Sequence, residues 1–239
     1  MEKLKDKTII VTGVSKGLGL IISKTLLNKG YSVIGISRTD SKELSSFENF
    51  RQLNFDLLNS EELETFLKLN LKNIKISGFV NNAAIAYDDI ITNLRLDKLQ
   101  TMYNVNVLSP LIITKLCLRN MLLHKIKGSI VHISSISVHT GYSGLSMYAS
   151  TKGALEAFSK NTGREWGRKG IRSNCIVAGF METEMSDTLT DEQRDRIYKR
   201  TSLKKPTETQ SVANTVEFLI SDKSNSITCQ NINVDSGTI

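Results

Sequence analysis

Only two prolines, Pro110 and Pro206, occur in 239 residues, too few to suggest a hinge between domains, and no repeat, linker or low-complexity tract stands out. Cysteine is almost as scarce. Cys117, Cys175 and Cys229 are odd in number and lack metal-type spacing, which excludes a disulfide framework and a zinc site built from them. Cys117 and Cys175 fall in apolar periodic segments, where a reduced, buried thiol is the expected state. The three histidines, His124, His132 and His139, are not spaced as metal ligands either, and His132 reads as packing. No apolar run reaches membrane-spanning length, and the one after the charged N-terminus is too short for a signal or anchor. The expectation is a reduced, cytoplasmic protein with no membrane partner.

Net charge is +7, yet the cations are scattered, with no aromatic-interleaved basic stretch and no nucleic-acid motif. A nucleic-acid partner is therefore not expected. Excess positive charge would suit an anionic substrate or an acidic carrier protein through steering.

What the chain does have is order. Apolar strand-like runs recur at 8–11, 32–36, 51–55, 76–80, 129–134, 172–178 and 231–234. Helical stretches at 17–28, 60–69, 97–124, 147–168 and 208–221 separate them. Alternation of this kind predicts an α/β chain: a single doubly wound Rossmann domain over 1–239, its seven-stranded parallel sheet flanked by helices. A ligand site belongs at the C-terminal ends of such strands. Gly13, Asn82, Ser135 and Gly179 stand at or just after strand ends, so they should gather along one edge. The polar segment at about 180–205 reads as a short helix within a mobile loop able to close over substrate.

The first strand runs into Gly13-Val-Ser-Lys-Gly17-Leu-Gly19 and then an amphipathic stretch. Strand, glycine loop and helix in that order suit a dinucleotide pyrophosphate, which the helix-start N–H groups receive. The second strand chooses between cofactors. An acidic residue about 20 positions after the loop would bind the free 2′-hydroxyl of NADH. That place holds Ser37 and Arg38, and Lys16 lies in the glycine loop, a combination that suits the 2′-phosphate of NADPH. Asp40 could still reach a ribose, so NADH stays open, and ordinary surface charge is the alternative for both cations.

Tyr148 and Lys152, in Met-Tyr-Ala-Ser-Thr-Lys, stand four apart and share one helix face. An ammonium at that range favours the phenolate, so the phenol could exchange a proton near neutral pH. Ser135 closes a strand thirteen positions before Tyr148, where its hydroxyl could hold a carbonyl oxygen beside the phenol. Together they form a proton-donating site suited to reducing a ketone. Each residue alone has an ordinary reading, as a turn cap or an amphipathic pair.

Over almost the whole chain these segments resemble the short-chain dehydrogenase/reductase family. Thr12-Gly-Val-Ser-Lys-Gly-Leu-Gly19 resembles its Thr-Gly-x3-Gly-x-Gly turn, and Asn81-Asn-Ala-Ala84 its Asn-Asn-Ala-Gly segment, with Ala84 in place of glycine. Asn106, Ser135, Tyr148 and Lys152 match its catalytic tetrad. Within the family the chain is most similar to 3-oxoacyl-acyl-carrier-protein reductases, through residues 178–185, the entry to the last helix from Lys205, and the tail from Ile227. Ala178 replaces their proline, and Cys229 and Ser236 replace usual glycines. The likeness implies an NADPH-dependent reductase whose substrate is a 3-oxoacyl thioester, possibly on acyl carrier protein. Alternatives are a sugar, polyol or secondary-metabolite ketone, or a nonenzymatic cofactor sensor.

The resemblance also implies roles. Tyr148 would be the general acid, Ser135 would hold the carbonyl, and Lys152 would hold the nicotinamide ribose. Asn106 would position a water linking Lys152 to solvent. The cofactor would lie against Gly13, Ser15, Lys16, Gly17, Leu18 and Gly19, then Ser37, Arg38, Asp56 and Leu57 at its adenine end. Asn82, Ala83 and Ala84 would flank its middle, and Gly179, Met181 and Thr183 its nicotinamide end, beside Tyr148 and Lys152. The family's carrier-docking enzymes carry cations near positions like Lys125, Lys127, Arg168 and Lys169, although Ile126 occupies one such place. A homotetramer or homodimer is implied as well.

Overall fold

The computed structural model describes residues 4–183 and 190–239. Its strands are β1 (Thr8–Thr12), β2 (Ser32–Ser37), β3 (Phe50–Asn54), β4 (Ile76–Asn81), β5 (Ser129–Ser135), β6 (Arg172–Ala178) and β7 (Asn231–Val234). They form one sheet in the order β3-β2-β1-β4-β5-β6-β7, every neighbouring pair parallel. Strand order reverses between β1 and β4, which opens a crevice at their C-terminal ends. The helices are α1 (Gly17–Asn28), α2 (Ser60–Leu71), α3 (Leu96–Tyr103), α4 (Ser109–Leu123), α5 (Ser137–Thr140), α6 (Ser146–Trp166), α7 (Asp191–Arg200) and α8 (Thr209–Ile220).

Both sheet faces are covered, and the pleat decides which residue serves which face. Ile9 and Val11 of β1 pack with Ile22 and Leu26 of α1 and Val216 and Leu219 of α8. Ile10, between them, points the other way, to a core with Leu63 and Leu67 of α2 and Ile113 and Met121 of α4. Ile9, Ile10 and Val11 are wholly buried. Each such burial is worth about 1.5–3 kcal/mol over exposure, enough to pin the strand register.

The stretch expected as one helix at 97–124 contains a π-helical turn, Asn104–Leu108, between α3 and α4. Ser109 N–H reaches back five residues to the Asn104 carbonyl. Pro110 accounts for the break. It has no N–H, so the Asn106 carbonyl loses the donor an α-helix would supply. By length and composition, Leu96–Leu123 could cross a membrane, contrary to the expectation that no stretch is long enough. Half of its apolar window is buried within the protein, however, as in a core helix.

Strand and helix bounds otherwise shift by only a few residues from those expected, and α5 is an addition. Of the loop expected at about 180–205, α7 is its helix, closed by a capping box between Thr190 and Gln193. Residues 184–189 lie outside the described residues. Cys117 and Cys175 are buried as expected, and burial pushes the Cys175 thiol up to about 12. Cys229 and Ser236 both adopt left-handed backbone, φ 62° and 57°. The usual glycines there would carry that conformation without the penalty of about 1–2 kcal/mol that a Cβ brings.

Candidate active site

A cleft of about 1020 Å³ runs along the C-terminal ends of the strands. Every residue expected to contact cofactor lines it, from Gly13 to Thr183, and so do Ser135, Tyr148 and Lys152. Asn106 does not: it lies behind the wall, 1% exposed.

The crevice floor is stapled by Thr12. Its hydroxyl oxygen accepts from the N–H groups of Asn82 (3.1 Å) and Ala83 (3.0 Å), and the Asn82 amide donates back to the Thr12 carbonyl at 3.0 Å. Gly13 turns with φ +73°. Gly19 packs so tightly that a Cβ there would lie 2.1 Å from the Gly13 carbonyl oxygen and 2.5 Å from Asn82 Nδ2. Gly17 is the opposite case. At φ +56° its missing Cβ would meet nothing within 4 Å, which leaves the cradle open for a phosphate. Glycine is needed at one position for contact and at the other for conformation.

At the adenosine end, Ser37 is already engaged: its hydroxyl donates to the Thr39 carbonyl and accepts from Gln52 Nε2, both at 2.8 Å. Asp40, the residue that left the cofactor choice open, has Oδ1 tied to Asn54 Nδ2 at 2.9 Å. Arg38 is exposed on the cleft wall with Lys16. Asp56 uses one carboxylate oxygen to accept from Leu58 N–H at 3.0 Å, and the Leu57 carbonyl accepts from Ser109 Oγ at 2.5 Å. These bonds fix the loop after β3.

At the other end, α6 carries Tyr148 and Lys152 one turn apart. Lys152 is 2% exposed, donates to the Ile133 carbonyl at 2.9 Å, and lies 5.6 Å from the Tyr148 ring centroid. Burial pulls its pKa down to about 8. The phenol departs from expectation. Burial, and after it the charge of Asp88, hold the Tyr148 pKa above its ordinary value. The neighbouring ammonium does not reverse this rise; Lys152 donates to the Ile133 carbonyl. Ser135 Oγ accepts from Ser137 N–H at 3.2 Å, which holds the start of α5.

Asn106 spends its side chain on structure. It accepts from Ile85 N–H (2.9 Å) and donates to the Ile85 carbonyl (2.8 Å) and Thr151 Oγ1 (3.1 Å). Both of its N–H donors are used, so the expected water cannot accept a hydrogen bond from this side chain.

Glu156, one turn beyond Lys152, is a centre the sequence did not reveal. It accepts from Ser134 Oγ at 2.5 Å and Asn231 Nδ2 at 2.7 Å, and lies 3.1 Å from His139 Nε2. His132 is neutral: burial foremost, then Lys152, pulls it down to about 3, and it packs edge-on against Phe79 and Phe158. Sequence reading also did not single out other residues of the cleft wall, among them Asp88 and Tyr142, nor Phe180, Ile197 and Arg200 within the segment expected to close over substrate. They come from loops and from the polar α7, where no periodicity marks a buried face.

The glycine cradle, the cations beside it and the phenol–ammonium–hydroxyl group all fit a nicotinamide dinucleotide, a fit the relatives bear on independently. A family model described as "Enoyl-(Acyl carrier protein) reductase" matches residues 13–238. An L-xylulose reductase of Caenorhabditis elegans is 31% identical, covering 97% of this chain and 95% of its own. A 3-oxoacyl-[acyl-carrier-protein] reductase of Escherichia coli K12 is 30% identical, covering 98% and 97%. Among solved structures, "ElxO with NADP Bound" superposes with TM-score 0.89 at 29% identity, and "4-hydroxyisoleucine dehydrogenase complexed with NADH" with 0.91 at 27%, each covering 97% of this chain and 98% of that one. Likeness of this extent in both sequence and fold, over nearly the whole of each chain, establishes that the protein belongs to the short-chain dehydrogenase/reductase family.

Proposed function

We propose that this chain is an NADPH-dependent oxidoreductase that reduces a ketone to a secondary alcohol, with 3-oxoacyl thioesters as the leading substrate class. The observation that carries the reading is that Ser135, Tyr148 and Lys152 line the same cleft as the glycine loop. When bound, the dinucleotide supplies a hydride to the carbonyl carbon. Ser135 and Tyr148 hold the carbonyl oxygen, and Tyr148 gives it the phenolic proton as negative charge develops there. Lys152, whose pKa of about 8 lets it exchange a proton near neutral pH, holds the nicotinamide ribose and returns a proton to the phenolate. A water positioned at Asn106 would refill Lys152. A nonenzymatic sensor would gain nothing from burying that ammonium, which costs stability.

NADPH is favoured over NADH because Arg38 and Lys16 offer cations to a 2′-phosphate while Asn54 occupies one oxygen of Asp40. Neighbouring structures that hold NADP or NADH bear on the cofactor class, and the bacterial thioester reductase on the substrate. Exposed Lys125, Lys127, Arg168 and Lys169 would suit an acidic carrier protein. Free cysteines suit a reduced cytoplasm, and a homotetramer or homodimer completes the reading.

The deciding experiment is NADPH and NADH oxidation with acetoacetyl-CoA. Turnover selective for NADPH supports the proposal, and Arg38→Ala should cut the NADPH/NADH preference about tenfold or more. Equal use of NADH rejects the cofactor assignment, and no turnover of any ketone rejects the reductase. The pH profile supplies a further prediction. Asp88 raises the Tyr148 pKa, so its charge extends the range over which the proton donor stays protonated. Asp88→Asn should therefore move the alkaline limb of kcat/KM for reduction to lower pH, and an unmoved limb would remove Asp88 from this role.

A further inference from the structure

Among the cleft residues not assigned to cofactor are two opposite charges with no ion pair or hydrogen bond among the described residues. Asp88 is one; it lines the cleft, and its carboxyl is raised above the usual range by burial. Arg200, the last residue of α7, is the other. Its guanidinium sits 5.7 Å from the centroid of the Tyr142 ring, and both residues line the cleft. At that range the ring can attract the guanidinium, and no hydrogen bond among the described residues occupies its N–H edge, which could receive a carboxylate or phosphate in a fork. Apolar side chains share the cleft with them, among them Ile85, Leu145, Phe180 and Ile197.

Asp88 acts electrostatically on the Tyr148 phenol, so its negative charge stands near the reacting carbonyl. Arg200 reaches the cleft from the C-terminal end of α7, beside the Tyr142 ring. An anionic group next to the carbonyl would face Asp88, whereas a hydroxyl or amide N–H there could donate to it. An anion elsewhere on the substrate is the group Arg200 could receive.

Resting on the carbonyl-reductase reading, we propose that the substrate is an anionic carbonyl compound. Its carboxylate or phosphate is bound by Arg200 on the Tyr142 ring, and a hydrogen-bond donor near its carbonyl is received by Asp88. Arg200 and Asp88 are thus specificity residues of the same site. Two sources share this chemistry: the phosphate of a phosphopantetheine thioester, whose amides are donors, and the carboxylate of a hydroxylated keto acid.

Matched pairs separate them: acetoacetyl-phosphopantetheine against acetoacetyl-pantetheine, and 5-keto-D-gluconate against the neutral ketose L-sorbose. In the full-length protein with NADPH, the charged member of at least one pair should have a kcat/KM about tenfold or more above its neutral partner. Which pair shows it identifies the source. Arg200→Gln should bring that ratio close to one mainly through KM, and Arg200→Lys should restore part of it. Arg200 is exposed, so these variants are expected to fold, and NADPH binding by fluorescence checks that they do. A wild-type ratio near one in both pairs, or a ratio unchanged in Arg200→Gln, overturns the proposal. If none of the four compounds is reduced, the thioester and sugar-acid readings of the substrate fail separately. Calorimetric binding of 5-keto-D-gluconate and phosphopantetheine to wild type and Arg200→Gln then still decides Arg200, and binding that is absent or equal in the two overturns its role.

Discussion

Tyr148→Phe should lower kcat/KM for ketone reduction about 10²- to 10⁴-fold while NADPH still binds. Phenylalanine keeps the ring that packs 5.6 Å from Lys152 and removes only the proton donor. The hydroxyl of Ser135 can hold the carbonyl oxygen but is a much weaker acid, and it already accepts from Ser137 N–H. The Lys152 ammonium donates to the Ile133 carbonyl. Neither is the proton donor in the proposed mechanism. Steady-state kinetics with NADPH fluorescence titration checks this. A variant that retains most of its activity would assign the proton to another donor and dismantle the mechanism.

Gly19→Ala should be more damaging than its single added methyl suggests. The new Cβ would meet the Gly13 carbonyl oxygen and the Asn82 amide, neither of them the free end of a flexible side chain. Asn82 is held by Thr12, and Gly13 donates to the Ile36 carbonyl at 2.8 Å, so the clash would press on the whole floor of the crevice. Overpacking of this kind costs about 1–3 kcal/mol, and here it falls on the phosphate cradle itself. The expected result is a lower melting temperature together with a loss of NADPH affinity. Gly17→Ala is the contrast. It meets no protein neighbour, so its effect on stability should come from its φ of +56° alone, about 1–2 kcal/mol. Equal melting temperatures and equal NADPH affinities in the two variants would refute this division.

Much of this was legible in the amino-acid order because it depends on local rules. Alternation of apolar runs and helical periods gave seven parallel strands within a few residues of their bounds, since each strand buried on both faces must be apolar throughout. Strand-end residues collect on one edge because all the strands run the same way, so Gly13, Asn82, Ser135 and Gly179 could be grouped before any coordinates. The i, i+4 pairing of Tyr148 with Lys152 follows from helix geometry alone.

Tertiary structure decided whatever depends on partners distant in sequence. Asp40 meets Asn54 only because β2 and β3 pair in parallel, and the Asn106 side chain is spent on Ile85 and Thr151 only because the helix crosses both. The direction of the Tyr148 shift reversed for the same reason. Sequence gives the spacing of phenol and ammonium, but burial, with Asp88 added at the phenol, shifts their pKa values, and those come from other elements. Asp88, Tyr142 and Arg200 sit on loops and on a polar helix where no period signals an inward face, so only the assembled cleft brought them together. Strand order and helix spacing are local and written in the chain; hydrogen-bond partners and electrostatic fields are sums over neighbours that exist only once it has folded.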